Sequence, residues 1–398
     1  MKILFLCGIY DKTIEKKVKT NSISGYDIAA LEFQRKLYNG LKNCYEDVEV
    51  LSAPYIGSFP NRYKKAYFNV KKANDITRIE YVPFCNIWGI RNFSRSYHLK
   101  KAINKFVNYD DEEKYIIIYA PHTPLMEAAA YAEKKDRRIK SSLIIPDLPQ
   151  FQNVRSKRFS IYRIAKFFDI KKFYKLSNNI NGFCLLTKKM EDYLYTSPKS
   201  IIVTPGIIDK SYIKPFNENK KNQVVFAGNL RVDFGVLNLL NAFEGIEDKT
   251  VRLVIYGDGQ AKNIVLERAK KDPRIEFRGN VGQDEVREEL YRSKVSVSPR
   301  TNDGEYTKYS FPSKILEYLV CGTTVVSYSL DGMPEEMKKC IILCKSDSVE
   351  SLRDALNDAL NLSIDEQKRM WDYSKNYLLE NIEAERLCRR IIDNLKEF

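Results

Sequence analysis

The feature that most constrains the fold of this chain is an alternation of short apolar runs with longer amphipathic segments. In the first half, the apolar runs lie at residues 3–7, 48–51, 115–119, 142–145 and 182–186. A helical pattern of apolar residues occupies residues 27–41, between the first two runs. Such an alternation is typical of a parallel sheet flanked by helices, and we predict that architecture.

The same alternation returns in the second half of the chain. The apolar runs lie at residues 224–227, 251–256, 275–277, 295–298 and 324–327, and the helical patterns lie near 236–243, 261–271, 283–293 and 313–320. Further helical patterns follow at residues 349–360 and 364–398. The sequence therefore predicts two α/β domains in series.

The boundary between these domains is expected in a polar segment that is rich in chain breakers. Residues 204–222 contain Pro205, Gly206 and Pro215. A chain of 398 residues is also too long for one compact core. We predict a first domain over residues 1–205, a hinge over 206–222, a second domain over 223–375, and a C-terminal helix over 376–398 that returns to the first domain.

Composition excludes several classes of protein. With 44% hydrophobic and 30% charged residues, the chain lacks the bias of disordered segments. The eight cysteines are scattered without a C-x-x-C pair, so we expect reduced cytosolic thiols and neither a zinc site nor a disulfide framework. No apolar stretch reaches the roughly 18 to 20 residues that span a bilayer. Any membrane contact is therefore expected to be peripheral, and the apolar N-terminus is predicted to be a buried strand.

The most informative segment is residues 298–326, which predicts a strand, a polar loop, a helix, a glycine turn and a strand. Ser313 stands where a helix N-cap belongs, and the free N–H groups of a first helical turn attract anions. Lys314 adds a positive charge there, and Glu317 follows three residues later on the same face. This spacing fits a site for a diphosphate and a sugar hydroxyl. It also fits an ordinary capped helix with a surface ion pair.

The segment as a whole resembles the signature of glycosyltransferase family 4, retaining enzymes of the GT-B fold. The resemblance implies two Rossmann-like domains that face each other across a cleft, with a nucleotide-sugar donor on the second domain. It implies that Glu317 binds the donor ribose and that the helix start at Ser313 and Lys314 receives the donor phosphates. The likeness continues through Gly322 and the apolar strand that follows.

The resemblance extends through the rest of the second domain. The stretch with Gly228 and Arg231 looks like the donor-domain glycine loop, and the stretch with Tyr256 looks like a strand that borders the nucleotide base. The family tends to carry an Arg and a Lys in the glycine loop, where this chain has Asn229 and Phe234. We therefore expect Arg231 and the helix start to hold the phosphates.

One carboxylate of the family pattern is absent. The family has two glutamates separated by seven residues, and the upstream position here is Tyr309. Glu305 is the candidate substitute for contact with the donor sugar. A plain solvent-exposed glutamate is the alternative interpretation of Glu305.

The first domain supplies the remaining candidates. Gly25 and Tyr26 resemble the loop that meets donor and acceptor at the cleft, and His122 follows a strand where related enzymes carry an active-site histidine. Asp147 follows another strand and is a candidate buried carboxylate at the cleft. Asp147 is also compatible with a simple turn cap.

Residues 155–175 combine basic side chains with interleaved aromatic ones. This pattern fits an interfacial helix on anionic lipid, and it fits a helix whose apolar face packs on the first domain. The formal charge of +14 attracts anionic partners of several kinds without selecting among them. No recognition motif supports nucleic-acid binding.

The resemblance implies a retaining glycosyltransferase of the hexosyltransferase type, acting on an acceptor hydroxyl of a glycan or lipid-linked molecule in bacterial polysaccharide synthesis. We expect no cofactor and no catalytic metal because no Asp-x-Asp motif is present, and we expect a cytoplasmic protein with peripheral contact to the inner face of the membrane. A sugar-nucleotide epimerase of the GT-B fold and a non-catalytic partner subunit remain as alternatives.

Overall fold

The computed structural model describes residues 1–23, 27–70, 78–109, 113–151, 161–194 and 200–398. The chain forms two compact units. The first unit comprises Met1–Ile207 together with Ala384–Phe398, and the second comprises Ile208–Glu383. The first crossing between units therefore lies at the start of the segment that the sequence analysis assigned to a hinge, and residues 208–222 belong to the second unit.

The first unit is built on a seven-stranded parallel sheet. The strands of the first unit, in chain order, are β1 (Lys2–Cys7), β2 (Val48–Ser52), β3 (Tyr67–Phe68), β4 (Ile79–Tyr81), β5 (Phe84–Cys85), β6 (Lys114–Tyr119), β7 (Ile139–Ile145), β8 (Gly182–Leu185) and β9 (Ser200–Val203). The sheet order is β4-β2-β1-β6-β7-β8-β9, while β3 and β5 form a separate antiparallel pair. The strand order reverses between β1 and β6, so the crevice that favours ligands in doubly wound sheets lies beyond the ends of these two strands.

Among the described residues, five helices of the first unit precede the crossing. They are α1 (Lys12–Asn21), α2 (Ile28–Cys44), α3 (Arg91–Val107), α4 (Thr123–Lys135) and α5 (Ile161–Ser177). The Asp11 carboxylate accepts hydrogen bonds from the backbone of Thr13 and Ile14 and so begins α1. Asp27 does the same for α2 through the Ala30 N–H.

The second unit is a six-stranded parallel sheet with helices on its faces. Its strands are β10 (Lys221–Ala227), β11 (Arg252–Tyr256), β12 (Ile275–Gly279), β13 (Ser293–Ser298), β14 (Thr324–Ser327) and β15 (Ile341–Leu343). Its helices are α6 (Val236–Glu244), α7 (Lys262–Lys271), α8 (Gln283–Arg292), α9 (Lys314–Val320), α10 (Glu335–Lys338), α11 (Val349–Asn361) and α12 (Ile364–Asn381). The order β12-β11-β10-β13-β14-β15 is that of a Rossmann sheet, whose switch point lies between β10 and β13. The predicted parallel sheets flanked by helices are thus confirmed in both units.

The C-terminal region differs from the prediction in one respect. The sequence predicted one helical pattern over residues 364–398, but the structure divides it into α12 and a final helix, α13 (Ala384–Lys396). The break occurs because Ile382 and Glu383 leave the helix to meet Ile208, whose N–H donates to the Ile382 carbonyl over 3.1 Å. The shorter terminal helix α13 belongs to the first unit, whereas α12 belongs to the second.

The final helix packs closely on α2. The Cys388 thiol lies 3.5 Å from the Leu37 carbonyl oxygen. Gly40 allows this approach, since a Cβ there would lie 2.8 Å from the Ala384 backbone. Leu387, Ile391 and Leu395 are buried in the core of the first unit.

Candidate functional site

The two loops that follow β10 and β13 touch each other at the switch point of the second unit. Gly235 has a φ of +79°, and a Cβ on it would lie 1.7 Å from the Pro299 carbonyl oxygen. Only glycine accepts both this left-handed backbone and this contact. Gly235 therefore allows the loop after β10 to pack on the residue that follows β13.

A second close backbone contact joins the loops after β10 and β11. The Gly228 N–H donates to the Tyr256 carbonyl oxygen over 3.1 Å. Gly257 has a φ of +133°, and a Cβ on it would lie 1.8 Å from the Gly228 carbonyl oxygen. Gly228 thus takes part in the tight glycine loop that the sequence predicted.

Tyr256 does not have the environment expected of a ligand contact. Its side chain is 2% exposed and packs in the core with Leu290 and Tyr318. The end of β11 thus directs the Tyr256 ring into the core, and the expectation that this strand borders the nucleotide base stays a prediction.

Arg231 lies in the loop after β10 and already has a carboxylate partner. Its Nε atom donates to Asp233 Oδ1 over 2.8 Å. The guanidinium carbon lies 4.7 Å from the centroid of the Phe234 ring. Phe234, which replaces a basic residue of the family pattern, thus positions a cation by a cation–π contact.

Arg300 is a second cation at this switch point, and the sequence analysis did not single it out. It follows β13, and its guanidinium carbon lies 5.9 Å from the Phe234 ring centroid and 5.0 Å from that of Tyr306. Its Nη2 atom donates to Ser310 Oγ over 2.7 Å, and burial lowers the pKa of Arg300. The only signal in the sequence was a basic residue directly after a strand at the switch point.

The polar atoms of Arg300 are not all paired. Within the described residues, its buried Nε atom has no hydrogen-bond partner. The Asp233 carboxylate stabilises the charged form of Arg300 electrostatically. Two arginines therefore flank Phe234 and share one nearby carboxylate, which leaves excess positive charge at the strand ends.

The helix α9 packs against the end of β10 through Tyr318. The Tyr318 hydroxyl accepts from the Ala227 N–H and donates to the Ala227 carbonyl oxygen, both over 3.0 Å. This pair of bonds fixes α9 against the end of β10. The Lys314 ammonium lies 2.7 Å from Glu317 Oε2, so the two predicted donor contacts form an ion pair with each other.

Ser313 occupies the predicted position but does not cap the helix with its side chain. Its backbone is already helical, with φ −55° and ψ −21°, and its hydroxyl accepts no capping hydrogen bond. A capping side chain requires an extended backbone at the N-cap. The turn instead begins one residue earlier, where the Pro312 carbonyl oxygen accepts from the Ile315 N–H over 3.0 Å.

The loop before α9 places its carboxylate at the surface. Glu305 is exposed and begins a short 3-10 turn, Glu305–Tyr309. Tyr309, at the position of the absent glutamate, is 8% exposed. The structure is compatible with both interpretations of Glu305, as a sugar contact and as a solvent-exposed residue.

His122 lies at the switch point of the first unit, between β6 and α4. Its Nε2 atom is 3.4 Å from Arg95 Nη1, and its ring meets that of Tyr55 edge-on with centroids 5.4 Å apart. Burial lowers the pKa of His122 well below its usual value, and the charges of Arg95 and Arg91 lower it further. A neutral imidazole is therefore held at the end of β6.

The other candidates of the first unit are Asp147, Gly25 and Tyr26. Asp147 is exposed at the end of β7, so the prediction of a buried carboxylate is wrong. The reason is that the chain turns outward at Pro146, directly after the strand. Gly25 and Tyr26 lie outside the described residues.

The cysteines are all free thiols. Burial raises the pKa of Cys184, Cys321 and Cys344 to about 12 each. These thiols are therefore protonated packing groups near neutral pH. In the ranges that the structure describes, no three His, Cys, Asp or Glu side chains are grouped so that they could hold a metal ion, and no helix is long and apolar enough to cross a bilayer.

The sequence of the second unit matches a known family. Residues 221–361 match the family model described as Glycosyl transferases group 1. The gpi3 subunit of phosphatidylinositol N-acetylglucosaminyltransferase from Schizosaccharomyces pombe is 24% identical over 178 residues. That alignment covers 42% of this chain and 38% of the relative, so it spans well under half of the relative's length.

Solved structures resemble the chain along its whole length. HepE from Anabaena, in complex with UDP, aligns over 100% of both chains with 13% identity and a TM-score of 0.63. Sucrose-phosphate synthase from Thermosynechococcus elongatus aligns over 100% of this chain and 99% of its own, with 12% identity and a TM-score of 0.64. The predicted fold, two Rossmann-like domains of GT-B type, is thereby confirmed.

Proposed function

We propose that the chain is a retaining glycosyltransferase of the hexosyltransferase type, because residues 221–361 match the family model described as Glycosyl transferases group 1. It takes a sugar from a nucleoside diphosphate sugar and passes it to an acceptor hydroxyl. The observation that carries this proposal is the pair Arg231 and Arg300 around Phe234 at the switch point. HepE, which has the same fold, has been solved with UDP and with UDP-glucose.

The chemistry assigned to this site is electrostatic. Departure of the nucleoside diphosphate develops negative charge, and prepositioned cations stabilise that charge in a partly dry site. Arg231, Arg300 and Lys314 are the cations, and the carboxylate of Glu317 accepts hydrogen bonds from the ribose. Asp233 and Glu317 hold two of these cations in place before the donor arrives.

His122 belongs to the first unit and is proposed to contact the transferred sugar or the acceptor. Its lowered pKa keeps the imidazole neutral, so it can donate or accept a hydrogen bond without adding charge. Glu305 is proposed to contact the donor sugar, in place of the absent carboxylate at Tyr309. Transfer is proposed to need no metal, so EDTA should leave the rate unchanged, and a loss restored by magnesium would contradict this.

The helix α5 is proposed to bind an anionic membrane surface on its polar-aromatic face. Five of its apolar residues are more than two fifths exposed: Ile161, Tyr162, Ile164, Phe167 and Phe168. Exposed aromatic residues among lysines are typical of interfacial helices. This exposure favours the interfacial interpretation over packing of the apolar face against the first unit. The basic residues 155–158 lie outside the described residues.

A membrane-facing transferase fits a lipid-linked acceptor in bacterial cell-surface polysaccharide synthesis, on the inner face of the membrane. The second candidate function is a subunit of a glycosyltransferase complex, because the relative from Schizosaccharomyces pombe is itself a subunit. A GT-B sugar-nucleotide epimerase is the third candidate.

One assay separates these functions. The purified protein is incubated with sugar nucleotides, with and without a membrane lipid extract, and the release of nucleoside diphosphate is measured. A transferase releases it only with acceptor, and an epimerase releases it or converts the sugar without acceptor. Absence of both reactions with every donor would favour the subunit. The variant Lys314→Ala provides the control for contaminating activity.

A further inference from the structure

A cluster of cations lies inside the first unit, around Arg95. Arg95 is 1% exposed, and its Nη2 atom donates to the Pro54 carbonyl oxygen over 2.7 Å. Its guanidinium carbon lies 4.1 Å from the centroid of the Phe84 ring. The charge of Arg91 acts on Arg95, and the charge of Arg62 acts on Arg91.

Among the described residues, no carboxylate forms a salt bridge with this cluster, in contrast to buried Lys2 and Lys114. Lys114 is buried and pairs with Asp136 over 3.0 Å, and buried Lys2 pairs with Glu49 over 3.0 Å. In the ranges covered by the structure, neither Arg91 nor Arg95 forms a salt bridge. Burial of a charge without a counter-charge is costly, and here it lowers the pKa of Arg95 to about 9.

One described carboxylate acts on the cluster, and it is engaged by another residue. Asp169 acts favourably on the Arg91 charge, but it accepts a hydrogen bond from Thr123 Oγ1 over 2.6 Å. One carboxylate does not balance the positive charge of two guanidinium groups. The cluster therefore keeps excess positive charge.

Two polar atoms in the cluster are buried and have no hydrogen-bond partner within the part of the chain that the structure describes, and both are donors. One is Arg95 Nε, and the other is His122 Nδ1. Because the facing Arg95 Nη1 can only donate, His122 Nε2 must accept, which leaves the proton of the neutral ring on Nδ1. Unpaired buried donors call for an acceptor, and an oxyanion supplies both acceptor atoms and negative charge.

The cluster is close to an exposed apolar surface. Arg91 is the first residue of α3, and Trp88, Ile90 and Phe93 beside it are 45%, 53% and 74% exposed. The charge of Arg91 also interacts electrostatically with Tyr162, at the start of α5. Arg91, the partly exposed member of the cluster, therefore lies beside a surface that suits an amphiphile.

We propose that Arg91 and Arg95 form a subsite for a phosphate or diphosphate group of the acceptor, a proposal that rests on the transferase function. Two guanidinium groups fit an anion with more than one charge better than a single carboxylate. The imidazole of His122 provides a further unpaired donor, Nδ1, in the same cluster. The phosphate is carried either by a soluble ester or by a lipid.

The test measures binding of inorganic pyrophosphate to the full chain by calorimetry, in the presence of a saturating nucleoside diphosphate so that the second unit is occupied. We expect Arg91→Met and Arg95→Met to weaken pyrophosphate binding by about tenfold or more. Lys101→Met, an exposed lysine on the same helix, is the matched control and should bind as the parent does.

A parallel arm distinguishes the source of the phosphate. Vesicles of phosphatidylcholine with phosphatidic acid are compared with vesicles of phosphatidylcholine alone. Binding of the acidic vesicles that depends on Arg91, without binding of pyrophosphate, identifies a lipid-borne phosphate. If neither pyrophosphate nor acidic vesicles distinguish the parent from Arg91→Met, the subsite does not exist.

The melting temperatures of the variants show whether a loss of binding reflects a loss of folding. Arg91→Met should melt at or above the parent temperature without anion, because it removes a desolvated and repelled charge. Arg91 is only partly buried, so this variant carries the test even if Arg95→Met fails to fold. Failure of nucleotide binding would instead overturn the proposed function, because that binding is measured separately and through Lys314 and Arg300.

Discussion

The Lys314 ammonium group lies 2.7 Å from a carboxylate oxygen of Glu317, one turn further along α9. Both side chains are partly exposed, at 38% and 29%. A partly exposed pair of this spacing contributes only about 0.3 to 0.5 kcal/mol to stability. Exchange of Glu317 for the proposed donor phosphate therefore costs Lys314 little.

Loss of this lysine should affect catalysis far more than stability. A charge-assisted contact to the leaving diphosphate stabilises it by a few kcal/mol, so Lys314→Ala should lower kcat/KM by about a hundredfold or more. Lys314→Arg should restore part of the loss. The matched control is Lys338→Ala, which breaks a similar pair with Glu335 on α10. Near-normal kinetics of folded Lys314→Ala would show that the pair is structural only.

Arg300 should prove as important as Lys314 although the sequence pattern does not mark it. Arg300→Met keeps the side-chain volume and removes the charge beside Phe234, so nucleoside diphosphate affinity should fall by about tenfold or more. Arg278→Met, which removes an exposed arginine paired with Glu276, should leave affinity unchanged. Calorimetric titration of both variants with a nucleoside diphosphate measures these affinities. If the two variants bind it equally well, Arg300 does not contribute to the site.

The neutral state of His122 predicts a dependence of stability on pH. Its pKa is lowered in the folded protein, so below about pH 6.5 the unfolded chain binds the proton first and folding loses stability. The slope attributable to one such group is at most about 1.4 kcal/mol per pH unit. Denaturant unfolding between pH 7.5 and about 5.5 should show a smaller loss for His122→Gln than for the parent. Equal slopes would mean that His122 titrates normally.

Exposed aromatic residues on α5 should govern membrane binding. The double variant Phe167→Ser with Phe168→Ser removes two rings that are 53% and 62% exposed, so it should bind anionic vesicles more weakly without a lower melting temperature. Ile264→Ser, at a 37% exposed position of α7, is the control. Electrostatic attraction is screened by salt, so binding of the parent should weaken as salt rises. If the parent does not cosediment with anionic vesicles at low salt, this interpretation is contradicted.

Periodicity in the sequence predicted the central strands of both sheets because these strands are buried on both faces, whereas the edge strands β4, β9 and β15 were missed. Helix α3 was missed because its large side chains do not share one buried face. Phe93 and Tyr97 are 74% and 66% exposed, while Arg95 is buried. Such a pattern obscures the helical period that a sequence analysis depends on.

The site was predictable only in part, for a related reason. Local spacing indicated Lys314 and Glu317, which are neighbours on one helix turn. Arg300 acquires its role through the contact of Gly235 with Pro299, which joins two loops far apart in sequence. The environment of Tyr256 depends likewise on packing against Tyr318, and no local pattern encodes it.

The most direct measurement of the central claim is the melting temperature of the protein with a panel of nucleoside diphosphates and their sugars. A ligand that binds only the folded state raises that temperature in proportion to its affinity and concentration. We predict that at least one nucleoside diphosphate stabilises the parent and that Lys314→Ala and Arg300→Met each reduce the shift, while Lys338→Ala keeps it. If no member of the panel shifts the parent, or if the shift survives in both site variants, the second unit does not bind a nucleotide-sugar donor as described.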